Sequence, residues 1–97
     1  GERRGDRMIG MFAISKAGHD KGRMYLVVGQ EKDLVLLADG KTRTVENPKR
    51  KKTKHIQIIK KDPEAFLSEK LQNHHMIYNE EIKLAIKKRM NKEATHV

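Results

Sequence analysis

Residues 23 to 40 read RMYLVVGQEKDLVLLADG, and most of the fold can be worked out from this stretch. It contains two apolar runs rich in β-branched or aromatic residues, at 23–29 and 34–38, and this pattern predicts two strands joined by a turn. It ends in Asp39-Gly40, which favours a type I′ hairpin because that turn needs positive φ at both central positions. We therefore predict that residues 42–45 return as a fourth strand.

The pattern on either side of this stretch predicts two further strands. Residues 8–14 form an apolar run of strand length that ends in a glycine-containing loop, and residues 55–59 begin with the alternation of a short strand. Between them, Asn47-Pro48 is expected to end the fourth strand, and the basic residues that follow are expected in a loop. Five short antiparallel strands followed by helices predict a mainly β fold, an SH3-like small barrel with C-terminal α-helices, and a five-stranded OB-fold is the alternative.

The composition changes after residue 61 and predicts two helices. Asp62 is read as a helix cap and Pro63 as the first helical residue, so a helix is expected over about 63–71. Asn79 is read as the cap of a second helix over about 80–91. The residues expected on the apolar face of that second helix are Ile82, Ala85, Ile86 and Met90.

The length of 97 residues fits one domain. We expect a flexible N-terminus at 1–7, a barrel at 8–61, and a helical extension at 62–97 packed on the barrel. The chain has no cysteine, which excludes disulfides, thiolate zinc sites and cysteine nucleophiles. It also has no apolar run of membrane-spanning length and no apolar segment of a secretory signal at its start. These features predict a soluble, cytoplasmic protein without a cofactor.

The net charge of +9 is concentrated in one segment. Residues 49–61 hold 7 Lys or Arg and no acid, whereas residues 1–48 have a net charge of +2 and residues 62–97 have a net charge of 0. Clustered cations gain free energy by neutralising phosphates and releasing counterions, so this segment indicates a polyanionic partner. The loop 15–23 adds Gly18 and Gly22, whose backbone freedom suits a close reversal of the chain beside its own cations.

The sequence ISKAGHDKGR at 14–23, followed by the apolar runs and Asp39-Gly40, resembles the KOW motif. More narrowly, it is similar to bacterial KOW-domain RNA-binding proteins related to archaeal and eukaryotic large-subunit ribosomal proteins. Gly22 matches the glycine of the motif, and the basic run from Pro48-Lys49 matches its second half. His19 stands where the resemblance implies an arginine, and histidine changes its charge near neutral pH. The resemblance implies a KOW-type SH3-like barrel that binds RNA, usually ribosomal RNA.

The predicted function is therefore RNA binding, with no membrane, small-molecule substrate, metal or enzymatic activity. The residues expected to contact RNA are Ser15, Lys16, Gly18, His19, Lys21, Gly22, Arg23, Lys41, Arg43, Lys49, Arg50, Lys51, Lys52, Lys54 and His55. The alternative is a protein-interaction module that docks on a ribosomal protein, an assembly factor or RNA polymerase, with the basic residues only steering the encounter.

Four other readings of the sequence carry less weight. His74-His75 lacks the additional spaced ligands of a metal site. Ser15, His19 and Asp20 are the residue types of a hydrolase triad, but all three lie in one short loop. The basic second helix has too narrow an apolar stripe for a membrane surface. Tyr25 and Tyr78 could stack on bases, although a strand tyrosine is more often part of the core.

Overall fold

A computed structural model describes residues 8–61 and 63–94, without the side chains of residues 93 and 94. The predicted flexible N-terminus, 1–7, and the predicted helix cap Asp62 lie outside the described residues. In chain order the elements are β1 (Phe12–Ser15), β2 (Met24–Glu31), β3 (Leu34–Ala38), β4 (Lys49–Lys52), a 3₁₀ turn (Thr53–His55), β5 (Ile56–Ile59), α1 (Ala65–Gln72) and α2 (Asn79–Ala94). The prediction of five antiparallel strands followed by two helices is confirmed.

The strands form one antiparallel sheet in the order β4-β3-β2-β1-β5. In a flat sheet the two edge strands would lie about 19 Å apart, which is four spacings of about 4.8 Å. Only the 3₁₀ turn of three residues joins β4 to β5. Such a turn advances by about 2 Å per residue, so three residues are far too short to span the edge-to-edge distance of a flat sheet. The sheet is therefore strongly curled, so that its two edges approach each other at this turn.

The two faces of the curled sheet carry separate hydrophobic clusters. One cluster combines side chains of β3 and β5, which are separated by two strands, so it lies on the concave face. Its members are Ala13, Tyr25, Val27, Val35, Leu37 and Ile56. The other cluster joins the convex face to the helices, and its members are Phe12, Met24, Leu26, Ala38, Leu67, Ile77, Ile82, Ala85 and Ile86. Because β2 is covered on both faces, its apolar residues run almost without interruption.

The predicted hairpin at Asp39-Gly40 and the predicted strand at 42–45 are both wrong. Asp39 Oδ1 accepts hydrogen bonds from the amides of Lys41 and Arg43, at 2.9 and 2.8 Å, and the amide of Asp39 donates to the carbonyl of Arg43 at 2.8 Å. Asp side chains favour such local turns because their oxygens bind backbone N–H groups a few residues on. Residues 39–48 therefore form an irregular loop, and the partner of β3 is the basic segment Lys49–Lys52.

The helix starts also differ from the prediction. Glu64 is the cap of α1 and accepts a hydrogen bond from the amide of Phe66 at 3.1 Å, so this helix begins two residues later than predicted. At the start of α2, Glu81 accepts from the amide of Tyr78 at 2.9 Å, and the amide of Glu81 donates to the carbonyl of Tyr78 at 2.9 Å. The Glu81 side chain thus caps the amide of Tyr78 as the glutamate of a capping box does, and the side chain of Asn79 is used elsewhere.

The apolar face of α2 differs from the prediction at its last position. Ile82, Ala85 and Ile86 are buried as expected, but Met90 is 54% exposed and Arg89 is buried in its place. A residue seven positions after Ile82 is rotated by only about 20° from it, whereas the eighth turns well away from the face. Arg89 donates to the carbonyl of Lys61 at 2.9 Å, and its cation lies 5.9 Å from the centre of the Phe12 ring.

The loop at 39–48 is bound to the start of α2 by Asn79. Its Oδ1 accepts from the amide of Val45 at 2.8 Å, and its Nδ2 donates to Glu46 at 3.0 Å. Gly40 lies against the same point with φ of +78°, where an added Cβ would overlap the carbonyl of Asn79. Gly40 is thus required by the approach of loop and helix as well as by its own backbone conformation.

We predict that Gly40→Ala destabilises the fold more than Gly22→Ala, which is a matched control. Gly22 has φ of +90°, but its missing side chain faces open space. Gly22→Ala should therefore lower the unfolding free energy only because alanine disfavours positive φ, by roughly 1–2 kcal/mol. Gly40→Ala should lose about 1–3 kcal/mol more, because the helix must shift to relieve the overlap. Urea unfolding of both variants measures the difference, and equal losses would mean that Gly40 does not determine the position of the helix.

Candidate nucleic-acid interface

The β1–β2 loop, residues 16–23, is a tight reversal held by its own backbone. The amide of Ser15 donates to the carbonyl of Arg23 at 3.0 Å, and the amide of Gly22 donates to the carbonyl of Ser15 at 2.8 Å. Gly18 and Gly22 both have positive φ, at +85° and +90°. Glycine is therefore needed at both positions, but the N–H of Gly22 is already used inside the loop. Within the described chain, the N–H groups of residues 17–20 form no hydrogen bond to another protein group.

Asp20, in the middle of this loop, turns back towards the sheet and is nearly buried, with its side chain 9% exposed. Its Oδ1 lies 2.8 Å from Lys51 Nζ and 2.9 Å from Ser15 Oγ. Its Oδ2 accepts from the hydroxyl of Tyr25 at 2.7 Å and lies 3.1 Å from Lys49 Nζ. The carboxylate therefore joins β1, β2, β4 and the loop at one point, which we call the Asp20 cluster (Ser15, Asp20, Tyr25, Lys49 and Lys51).

The environment of Asp20 favours its charged form. Burial opposes ionisation, but the hydrogen bonds, that from Lys51 foremost, outweigh it and hold the pKa of Asp20 well below its usual range. Burial and the hydrogen bond to Asp20 together raise the pKa of Tyr25 to about 12. Near neutral pH the tyrosine is therefore a neutral donor and Asp20 a charged acceptor.

The basic run at 49–52 is divided between two faces because it is a strand and not an exposed loop. Lys49 pairs in register with Leu37 and Lys51 with Val35, so both lysines share the concave face with these core residues. Their side chains are 25% and 10% exposed, and both ammonium groups are bound to Asp20. The prediction that this segment is an exposed loop is therefore wrong, and Lys51 in particular is a structural cation.

The other two residues of β4 project from the convex face. Arg50 lies 3.3 Å from Glu31, and both side chains are more than half exposed. Lys52 is exposed and has no ion-pair partner among the residues that the structure describes. Of the four cations in this strand, two are therefore held inside, one is paired at the surface, and one is available to a partner.

The remaining predicted contact residues lie around the β1–β2 loop and the 3₁₀ turn. The amide of Lys16 donates to the carbonyl of His55 at 2.8 Å, which places the loop directly beside this turn. The loop residues Gly18, His19, Lys21, Gly22 and Arg23 are exposed, as are Lys54 and His55 in the turn. Across the described residues, Lys16, Lys21 and Lys54 form no ion pair. The structure thus brings the β1–β2 loop and the 3₁₀ turn together.

The β3–β4 loop extends this surface on the other side. Lys41 is exposed and Arg43 is half-buried, and Arg23 lies 3.9 Å from Asp39 at the start of this loop. Lys41 lines a groove together with Gly22 and Arg23. The same groove is lined by Lys83 and Lys87 of α2, which are not among the residues predicted to contact RNA. Their spacing of four residues shows that they share a helix face, but only the docking of α2 shows what that face meets.

Several residues named in the other readings of the sequence can be placed by their contacts. Ser15 and Asp20 do approach each other, but within the described residues no hydrogen bond connects His19 to either of them. Tyr25 is buried at 1% exposure, which agrees with its reading as a core residue and rules it out for stacking on bases, whereas Tyr78 is exposed. No group of three His, Asp or Glu in the described part of the chain is arranged to bind a metal ion. In the same part, neither helix is long and apolar enough to cross a membrane.

We predict that Asp20→Asn costs about 3–5 kcal/mol of unfolding free energy near neutral pH, because it leaves two partly buried ammonium groups without their counterion. Glu31→Gln is the control, since it breaks an exposed pair with Arg50 and should cost less than about 1 kcal/mol. Urea unfolding measures both. A loss for Asp20→Asn no larger than that for the control would show that the cluster is not a structural anchor.

The same pair of proteins gives a pH test. The folded-state pKa of Asp20 is lowered, so its contribution is complete above the unfolded pKa of about 3.9 and is lost as pH falls towards the folded value. The stability difference between the wild type and Asp20→Asn should therefore be constant above about pH 5 and shrink progressively in stronger acid. A difference that does not change down to about pH 2 would contradict the assigned charge state.

No protein-family model matches this chain, and no curated protein matches it.

Proposed function

We propose that this protein binds RNA through the loop-end surface of a KOW-type SH3-like barrel, with structured ribosomal RNA as the expected partner. The loop-end surface consists of the β1–β2 loop, the 3₁₀ turn and the exposed cation of the β3–β4 loop, Lys41. The proposal rests on the charge geometry of these segments and on the resemblance of the loop to the KOW motif.

The connectivity supports the barrel assignment. β1 to β4 pair in the order in which they occur in the chain, and β5 returns across the 3₁₀ turn to pair with β1. This is an up-and-down path closed by one short turn, as in SH3-like barrels. An OB-fold is a Greek-key barrel, in which the strands do not pair in simple succession, so the path described here fits it less well.

The observation that carries the RNA proposal is the pairing of charges at the loop-end surface. Asp20 is the carboxylate of the β1–β2 loop, and it is bound internally by Lys49 and Lys51. Lys16, Lys21 and Lys54 therefore remain exposed and without an ion pair among the described residues. Cations that the protein leaves unpaired at one place are those best able to replace counterions on a phosphate backbone. The N–H groups of residues 17–20, which have no protein acceptor in the described chain, are further candidate donors to a phosphate.

One feature favours the alternative of a protein-interaction module. Phe66 and Leu84 are 60% and 53% exposed, and both line a groove of about 320 Å³ between α1 and α2. Exposed apolar side chains of this size can anchor a protein partner. This groove is separate from the loop-end surface, so a protein contact there would be compatible with RNA binding elsewhere on the molecule.

We predict that replacing Lys16, Lys21 and Lys54 together by Gln weakens RNA binding and makes it less salt-dependent. If each lysine neutralises one phosphate, the slope of log affinity against log salt should become shallower by roughly two to three units, at about 0.7–0.9 per contact. Fluorescence anisotropy with a ribosomal RNA fragment at several salt concentrations measures this slope. The fold should be unaffected, because exposed side chains contribute little to stability.

The matched control replaces Lys60, Lys61 and Lys88 by Gln, which removes the same charge from exposed positions away from the loop-end surface. Lys60 and Lys61 follow the opposite end of β5, and Lys88 lies on α2 beside Glu64. The control should change the slope by less than about one unit. If the salt slope changes more in the control than in the loop variant, the binding surface lies at the other end of the molecule. A wild-type affinity that does not depend on salt would favour the protein-interaction alternative.

A further inference from the structure

A groove of about 650 Å³ runs between the end of the β1–β2 loop, the β3–β4 loop and α2. Its volume lies within the range of roughly 300–1,000 Å³ that is usual for small-molecule sites. The groove is open to solvent along its length and adjoins the loop-end surface at Gly22 and Arg23. A ligand bound to that surface could therefore extend into it.

The rim of the groove is cationic. Arg23, Lys41, Lys83 and Lys87 line it, and the carboxylate among the lining residues is Asp39. Four positive charges and one negative charge leave a net charge of +3. Two of these cations are partly neutralised, since Arg23 lies 3.9 Å from Asp39 and Lys83 lies 3.2 Å from Glu80. Lys41 and Lys87 form no ion pair among the residues that the structure describes. The groove therefore favours an anion of more than one charge.

The floor of the groove is apolar. Met24 and Ile86 form its base and are each 8% exposed, and Met90 forms one wall with more than half of its side chain exposed. A phosphate alone would leave this apolar surface in water, and a hydrocarbon alone would gain nothing from four cations. The surface is complementary to a ligand that combines a flat apolar group with phosphates, and a nucleotide has both parts.

We propose that the groove holds an unpaired nucleotide of the bound RNA, with its base against Met90, Ile86 and Met24 and its phosphates against the cationic rim. This inference rests on the proposed function and specifies the class of RNA. In an A-form duplex the base faces are stacked and the bases cannot reach such a floor, whereas loops, bulges and ends can turn a base outwards. The protein should therefore prefer single-stranded or bulged RNA to a continuous duplex.

Two pairs of substitutions on α2 separate the groove from the rest of the helix. Met90→Gln removes the apolar wall of the groove. Leu84→Gln is its control, because the two side chains are similarly exposed, at 54% and 53%. Leu84 lines the other groove, beside Phe66. Lys87→Gln removes a rim cation, and Lys88→Gln removes the neighbouring cation, which lies outside this groove. Thermal unfolding of all four variants checks that the fold is retained.

The affinity experiment uses fluorescence anisotropy with a single-stranded RNA of roughly 12 nucleotides and with a perfect duplex of the same sequence. Met90→Gln should weaken single-strand binding about threefold to tenfold, and Leu84→Gln should leave it within about twofold. Lys87→Gln should make the salt slope shallower by about 0.7, whereas Lys88→Gln should leave it unchanged. Duplex binding should be weaker than single-strand binding and indifferent to Met90→Gln.

A second measurement distinguishes a bound base from a bound phosphate. In methyl NMR spectra of the wild type, a base over Met90 shifts its methyl resonance upfield through the ring current, whereas a phosphate on the rim does not. The methyl of Met76, which is 72% exposed and does not line the groove, is the internal control. An upfield shift confined to the groove methionines supports the proposal. RNA binding without such a shift overturns the groove proposal but leaves the proposed function standing. Equal affinity for the duplex together with no effect of Met90→Gln has the same consequence. Failure of the wild type to bind either RNA overturns both the groove proposal and the proposed function.

Discussion

The buried carboxylate of Asp20 is the contact on which the rest of the architecture depends. A strand made of four successive cations would repel itself if all four projected into the same environment, and it would have no apolar side chain to bury. Asp20 reaches from the β1–β2 loop to the ammonium groups of Lys49 and Lys51 and so allows this strand to complete the sheet. The hydroxyls of Ser15 and Tyr25 satisfy the remaining acceptor positions, which is what makes a buried charge tolerable.

The same contact separates the cations that stabilise the fold from those that are available to a ligand. The cations bound to Asp20 tie β4 to β1, β2 and the β1–β2 loop and are not available to a ligand, while their neighbours on the convex face and in the 3₁₀ turn remain at the surface. The exposed charges of β4 also protect the edge of the sheet, because charged side chains on an edge strand discourage pairing with another chain. Adjacent residues of one short segment, β4 with the 3₁₀ turn, therefore contribute to stability and to the proposed RNA binding.

The helices contribute to the proposed site as well as to the core. α2 buries Ile82, Ala85 and Ile86 against the convex face of the sheet, and Asn79 at its start binds the β3–β4 loop. Because that loop is drawn onto the helix instead of returning as a strand, it stands opposite α2 and leaves the groove between them. The next helix face carries Lys83 and Lys87, so the position of the core face determines that these lysines line the groove.

Local pattern in the sequence was enough to predict the two helices and every strand except the fourth. The third strand has its predicted bounds, and five strands precede two helices, because apolar periodicity acts over a few residues. Gly22, whose backbone freedom suits a close reversal of the chain, has positive φ. Only the tertiary structure decided which cations are available. Strand register assigns successive cations of β4 to opposite faces of the sheet. Asp20 binds partners about thirty residues away along the chain, a distance over which local sequence pattern carries no information. Asp39-Gly40 was misread for the same reason, since the contact with Asn79 that shapes its loop lies almost forty residues away in sequence.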